Sequence, residues 1–159
     1  MAEFIVRTAA ETRDLGRRLA HHLEAGDLLV LNGGLGAGKT TFTQGIGKGL
    51  EVDGQIASPT FVIARTHQAP AGRVGLVHVD AYRLESLAEV DALDLDTDLD
   101  DSVTVVEWGE GMVEQLSQDR LEIDIQRPRG AERDLADGTR IIRMATHGPR
   151  WATVSLEKI

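Results

Sequence analysis

The nine residues Gly33-Gly34-Leu35-Gly36-Ala37-Gly38-Lys39-Thr40-Thr41 constrain this chain more than any other stretch. They satisfy the pattern G-x-x-x-x-G-K-[ST], with apolar Leu28-Leu29-Val30-Leu31 before them and a helix-compatible segment after them. Strand, glycine-rich turn and helix in that order form a phosphate-binding P-loop. Phosphate oxygens must be approached by bare backbone N–H groups, and a loop poor in side chains permits that approach. The partial positive charge of the following helix N-terminus adds to it. In this reading Gly34, Leu35, Gly36, Ala37, Gly38, Lys39, Thr40 and Thr41 wrap the phosphates. Lys39 reaches the β- and γ-phosphates, and the Thr40 hydroxyl takes one position on a Mg²⁺ ion that bridges them. A plain glycine-rich turn has no need of Lys-Thr after its last glycine.

Around this loop the chain predicts one α/β domain spanning residues 1–159. An apolar content of 42% and a charged content of 27% suit a globular core. The absence of cysteine excludes a disulfide framework and a thiolate metal site, and it fits a cytoplasmic protein. No apolar run resembles a signal peptide or is long enough to span a bilayer, so neither secretion nor membrane insertion is expected. The formal net charge of −9 argues against a protein built to grip nucleic acid, and any RNA it serves is expected to be held by a partner. The few cations of an acidic nucleotide-binding chain should gather where the phosphates lie.

Hydrophobic periodicity supplies the remaining elements. Phe4 and Val6 alternate with Ile5 and Arg7 as a short strand, and Thr8-Ala9-Ala10-Glu11 reads as a capping box that starts a helix. Leu15, Leu19 and Leu23 form that helix's apolar stripe, with Gly26 expected as its C-terminal cap. His21 and His22 are adjacent on the helix, point apart, and suit its C-terminal dipole better than a metal. Leu28–Leu31 fits a central strand covered on both faces. Phe42, Ile46 and Leu50 mark the buried side of the P-loop helix, while Gly45, Gly47 and Gly49 imply close packing or an early end. Pro59 in Ser58-Pro59-Thr60-Phe61-Val62-Ile63 presents Thr60 at the mouth of a strand, Leu76–Asp80 is another strand, and Leu84–Leu93 a short helix. Asp94–Asp101 carries five aspartates but lacks the glycine and glutamate of a calcium loop, and is read as a solvated acidic turn. Leu121–Ile125 alternates strictly, as do parts of Arg140–Met144 and Ala152–Leu156, so the C-terminal third is expected to hold antiparallel strands. The predicted fold is a P-loop NTPase-like mixed sheet, antiparallel toward the C-terminus, flanked by helices, with nucleotide at the C-terminal ends of the parallel strands.

Other stretches can converge on the same phosphates. Thr60 either starts a strand or senses the γ-phosphate and metal, as switch loops do. Asp80 either forms a turn or orients or deprotonates an attacking water, and it is assigned to catalysis together with the phosphate-binding Lys39. Val103-Thr104-Val105-Val106-Glu107 has the form of a Walker B strand, which makes Glu107 either a metal ligand beside Thr40 or a surface carboxylate. Trp108 either packs or stacks on the nucleotide. Arg83 pairs with Asp80 or reaches phosphate. No Asn-Lys-x-Asp segment for guanine is present, which favours ATP.

Taken together, Gly33–Thr41, Ser58-Pro59-Thr60-Phe61, His78-Val79-Asp80-Ala81-Tyr82-Arg83 and Glu107-Trp108-Gly109 resemble the bacterial TsaE family, also called YjeE. The resemblance implies a small cytoplasmic ATPase needed to make threonylcarbamoyladenosine beside the anticodon of tRNAs. In that family TsaD and its paralogue TsaB carry the transfer chemistry, and the TsaE subunit binds them and hydrolyses ATP to reset the complex. Tallied by position, the resemblance gives phosphate binding to Lys39, Mg²⁺ to Thr40 and Glu107, support of hydrolysis to Asp80, and the nucleotide wall to Thr60 and Trp108. tRNA would be met only through the complex. The rival class is a small-molecule P-loop kinase, against which the acidic rather than arginine-bearing segment Asp94–Asp101 tells. From Gln126 onward no motif matches, and Arg127-Pro128-Arg129 with Arg133 reads as a turn or a contact surface.

Overall fold

A computed structural model describes residues 1–34, 36–52, 56, 64–70, 74–80, 101–107, 119–127 and 139–159. Strands β1 (Ala2–Val6), β2 (Leu28–Asn32), β3 (Ala64–His67), β4 (Gly75–Asp80), β5 (Ser102–Glu107), β6 (Arg120–Gln126) and β7 (Arg140–His147) make one seven-stranded sheet in the order β1-β7-β6-β2-β5-β4-β3. The middle strands β6, β2, β5 and β4 run parallel, and β1, β7 and β3 join the flanks antiparallel. This is the mixed sheet expected from the sequence. Because β2 is central and parallel to both neighbours, its C-terminal end lies beside those of β5 and β6, and that edge receives the P-loop.

Helices α1 (Ala9–Ala20) and α2 (Lys39–Leu50) pack on one face of the sheet. Leu15, Leu19, Phe42 and Ile46 are fully buried there against Leu29, Leu31, Val103, Val105, Leu121 and Ile123. Leu28, Val30, Val79 and Val106 on the other face are equally buried, so β2 is covered on both sides, as its unbroken apolar run requires. In β6 and β7 the alternation is strict: Leu121, Ile123, Ile125, Ile142 and Met144 are buried and their neighbours are not.

Three glycines let the helices touch. A Cβ on Gly16 would stand 2.4 Å from the Phe42 carbonyl oxygen, one on Gly45 2.0 Å from that of Arg13, and one on Gly49 2.6 Å from that of Arg17. The glycines of α2 therefore signal close packing, and the helix continues to Leu50. The capping box at α1 is present: Thr8 Oγ1 accepts from the Glu11 N–H at 3.1 Å, and the Glu11 carboxylate accepts from the N–H of Arg7, one residue before the expected position.

Two expectations are corrected. Helix α1 ends at Ala20 with His21 as its cap: the His21 N–H donates to the Arg18 carbonyl and the His22 N–H to the Leu19 carbonyl, so Gly26 is not the cap. Gly26, at φ +94°, instead turns the chain into β2 and donates its N–H to the Ser102 carbonyl. Ala152–Leu156 is not a strand, because Gly148, at φ +95°, ends β7 and Pro149 opens a 3₁₀ turn, Pro149–Trp151. A second turn follows at Leu156–Lys158, and buried Trp151 and Leu156 anchor the two turns. The expected helix Leu84–Leu93, the strand residues Phe61–Ile63 and most of the acidic turn Asp94–Asp101 lie outside the described residues. Among the described residues no helix is long and apolar enough to cross a membrane.

Candidate functional site

The P-loop leaves β2 at Asn32 and closes into α2 within a few residues. Gly33 passes so close to β6 that a Cβ there would meet the Ile125 carbonyl oxygen at 2.5 Å. The Ala37 N–H donates to the Gly34 carbonyl at 3.0 Å and closes the turn, while Gly36 and Gly38 take φ of +74° and +112°, which side-chain-bearing residues rarely adopt. Gly34 and Gly36 are exposed, Gly38 is half-buried and Ala37 is buried. Gly38 is the N-cap of α2 and contributes no side-chain hydrogen bond, so no side chain competes for the N–H groups of the first turn, which includes Lys39, Thr40 and Thr41. Such a helix start favours anions.

Lys39 is buried, at 7% exposure, and its Nζ donates to the Gly33 and Gly34 carbonyls at 2.7 and 3.0 Å. Its ammonium is thus held against the loop. Thr43 Oγ1 donates to the Lys39 carbonyl at 2.9 Å, which anchors the first turn from below. Thr40 and Thr41 are half-buried on that turn.

Glu107 ends β5, opposite Leu31 of β2 and opposite Asp80 of β4, so all three mark the sheet edge from which the P-loop departs. Its side chain is 4% exposed, and His78 stands beside it, with Nε2 3.6 Å from Glu107 Oε1. His78 is fully buried, and among the described residues neither ring nitrogen has a hydrogen-bond partner. A carboxylate so enclosed, without a lysine or arginine pair among the described residues, suits a cation ligand. Among those residues no group of three or more acidic, cysteine or histidine side chains is placed to hold a metal ion.

The structure thus brings together Gly34, Gly36, Ala37, Gly38, Lys39, Thr40 and Thr41 on one loop and helix start, with Glu107 and the backbone position of Asp80 on neighbouring strand ends. Leu35, Thr60, Arg83 and Trp108 lie outside the described residues. Two arginines that the motif reading left without a role join the loop. Arg127, just beyond β6, donates to the Gly36 carbonyl at 3.3 Å, and Arg140, at the start of β7, donates to the Ala37 and Gly36 carbonyls at 2.8 and 3.3 Å. In the sequence Arg127 was marked by the basic Arg127-Pro128-Arg129 stretch, read as a turn or a contact surface, and Arg140 only by the shortage of cations in an acidic chain.

Comparison with known proteins shows the family and the fold. Residues 6–135 match the family model described as threonylcarbamoyl adenosine biosynthesis protein TsaE. A Streptomyces coelicolor protein named tRNA threonylcarbamoyladenosine biosynthesis protein TsaE is 56% identical over 145 residues, covering 91% of this chain and 96% of that protein. A Bacillus subtilis protein of the same name is 40% identical, covering 79% and 77%. The crystal structure of YdiB from Bacillus subtilis superposes with a TM-score of 0.72 at 31% identity, covering 94% of this chain and 88% of that one. With the family model matching most of its length, the chain belongs to the TsaE family.

Proposed function

We propose that residues 1–159 act as one Mg²⁺-dependent ATPase unit that serves threonylcarbamoyladenosine modification of tRNA in the cytoplasm as an accessory to TsaD and TsaB. The observation that carries the nucleotide reading is the loop itself: glycines at positive φ, an N-cap without a side chain, and a buried lysine bonded to the loop's own carbonyls. The relatives' names carry the pathway. In this reading the backbone from Gly34 through Leu35 to Gly38, with Thr41, binds the phosphates, Lys39 neutralises the β- and γ-phosphates, and Thr60 and Trp108 line the nucleotide. Thr40 and Glu107 hold Mg²⁺, which when bound screens charge between the phosphates. Asp80 orients the attacking water and accepts its proton. tRNA is met only through the partners, as the net charge of −9 favours.

The test is ATP hydrolysis by the purified chain, alone and with the TsaB and TsaD proteins of the same organism, with GTP as control. Stimulation that needs both partners and is confined to ATP is the expected result, lost in Lys39→Ala. Rapid phosphate transfer to a small acceptor, with no effect of the partners, would replace this reading with a kinase.

A further inference from the structure

We infer that Arg140 is a positioning residue for the P-loop, and that the C-terminal strand β7 thereby sets how well the loop binds phosphate. This rests on the nucleotide reading above and adds to it a residue beyond the stretch 6–135 that the family model matches. Arg140 stands 103 positions from Ala37 in sequence, yet its Nε donates to the Ala37 carbonyl at 2.8 Å and its Nη2 to the Gly36 carbonyl at 3.3 Å. Nη1 donates to the Thr139 carbonyl at 2.8 Å, which holds the guanidinium to its own strand. Arg127 adds a donor to the same Gly36 oxygen.

The consequence follows from peptide geometry. In a trans peptide the carbonyl of one residue and the N–H of the next point in opposite directions. When Arg140 draws the Ala37 carbonyl toward β7, it turns the Gly38 N–H away from β7. When both arginines draw the Gly36 carbonyl outward, the Ala37 N–H is turned to the Gly34 carbonyl, the bond that closes the loop. Gly36 and Gly38 have no side chain to fix these peptide planes, so beyond the Ala37–Gly34 bond the restraint comes from outside the loop. A rigid planar fork that spans two adjacent carbonyls can supply it, and a single ammonium cannot.

The register explains why Arg140 can reach. β7 runs antiparallel to β6 with Ile141 opposite Gln126, so the start of β7 and the end of β6 meet at the edge where β2 releases the loop. β7 also pairs with β1, where Arg140 lies opposite Val6. The flank of antiparallel strands is thereby a buttress for the P-loop.

The test uses the full chain as wild type, Arg140→Ala and Arg140→Lys. In nucleotide-free protein, amide hydrogen exchange read by NMR should be about tenfold faster at Ala37 in both variants, with the Phe42 amide, bonded to Gly38 inside α2, unchanged as reference. ATP and ADP should bind about tenfold more weakly to both variants by calorimetry, the scale of one lost charge-assisted hydrogen bond. Unchanged exchange at Ala37, or equal acceleration at Phe42, would overturn the clamp. Full affinity in Arg140→Lys would replace the clamp by simple charge. Wild-type binding matched by Arg140→Ala would sink the coupling alone. A wild-type chain that takes up no ATP would instead sink the nucleotide reading and the affinity effect together, while exchange at Ala37 still decides the clamp.

Discussion

At the scale of single residues, burial separates groups held for the fold from groups held for a ligand. Glu107 is enclosed with a histidine whose ring nitrogens have no hydrogen-bond partner among the described residues, an arrangement that contributes little to a core and costs free energy when the carboxylate is charged. Glu107→Gln, which keeps the shape and removes the charge, should therefore leave the melting temperature unchanged or raise it without metal. The same variant should weaken the Mg²⁺ dependence of ATP binding by about tenfold or more. An unchanged Mg²⁺ dependence would remove Glu107 from the metal site. Asp80, opposite Glu107 in the register, should behave differently: Asp80→Ala is expected to bind ATP as the wild type does and to lose hydrolysis. Parallel loss of both in equilibrium binding and single-turnover assays would end its assignment to the water.

Helices and strands bring a different balance. The contact of α1 with α2 depends on the missing side chains of Gly16, Gly45 and Gly49, since each Cβ would fall inside the contact distance of backbone atoms. Gly45→Ala gains about 1 kcal/mol of helix propensity, yet should destabilise the protein by about 2 kcal/mol in urea unfolding, because Arg13 cannot give way without moving α1. Gly34 has open space around the same position, so Gly34→Ala should change stability by less than about 0.5 kcal/mol. On the exposed side of α1, Asp14 bonds Arg17 at 2.7 Å and Arg18 at 3.0 Å. The hydrogen bond from Arg17, with the nearby charges of Arg17 and Arg18, holds the Asp14 carboxyl below its ordinary range. Its contribution is present above the unfolded-state pKa and lost as pH falls through the folded one. Asp14→Asn should thus lower the melting temperature slightly at neutral pH and match the wild type in strong acid, where a persistent gap would contradict the pairing.

On the scale of the whole molecule, the edge opposite the P-loop is tied by one buried pair. Arg150 donates through Nε and Nη2 to both oxygens of Asp27 at 2.8 and 2.9 Å, and through Nη2 to the His22 carbonyl at 2.9 Å. Its guanidinium also lies 4.6 Å from the centre of the Trp151 ring. The Asp27 hydrogen bond raises the Arg150 pKa further, so the guanidinium stays charged. Asp27 is 4% exposed, and removing its charge leaves the guanidinium that joins Arg150 to the turn before β2 with only the exposed Glu24 carboxylate, at 3.5 Å, as an ion-pair partner among the described residues. Asp27→Asn should cost about 3 kcal/mol in denaturant unfolding, and adding Arg150→Met should restore part of that loss. Strict additivity of the two changes would show that the pair is not coupled.

Local chemistry alone determined much of this protein. The P-loop, the capping box at Thr8, the doubly covered strand Leu28–Leu31 and the alternating strands Leu121–Ile125 and Arg140–Met144 are all written in spacing, because glycine placement and apolar period act over a few residues. The same locality misled at Ala152–Leu156, where alternation was outweighed by Gly148, Pro149 and the burial of Trp151. What the tertiary structure decided is which distant groups meet. The strand order sets β2 between β5 and β6, brings Glu107 and Asp80 to one edge, and lays Arg127 and Arg140 on the loop. An arginine bound to a backbone carbonyl leaves no signature in sequence, since every residue offers the same acceptor. Only the fold selects the carbonyls of Gly36 and Ala37.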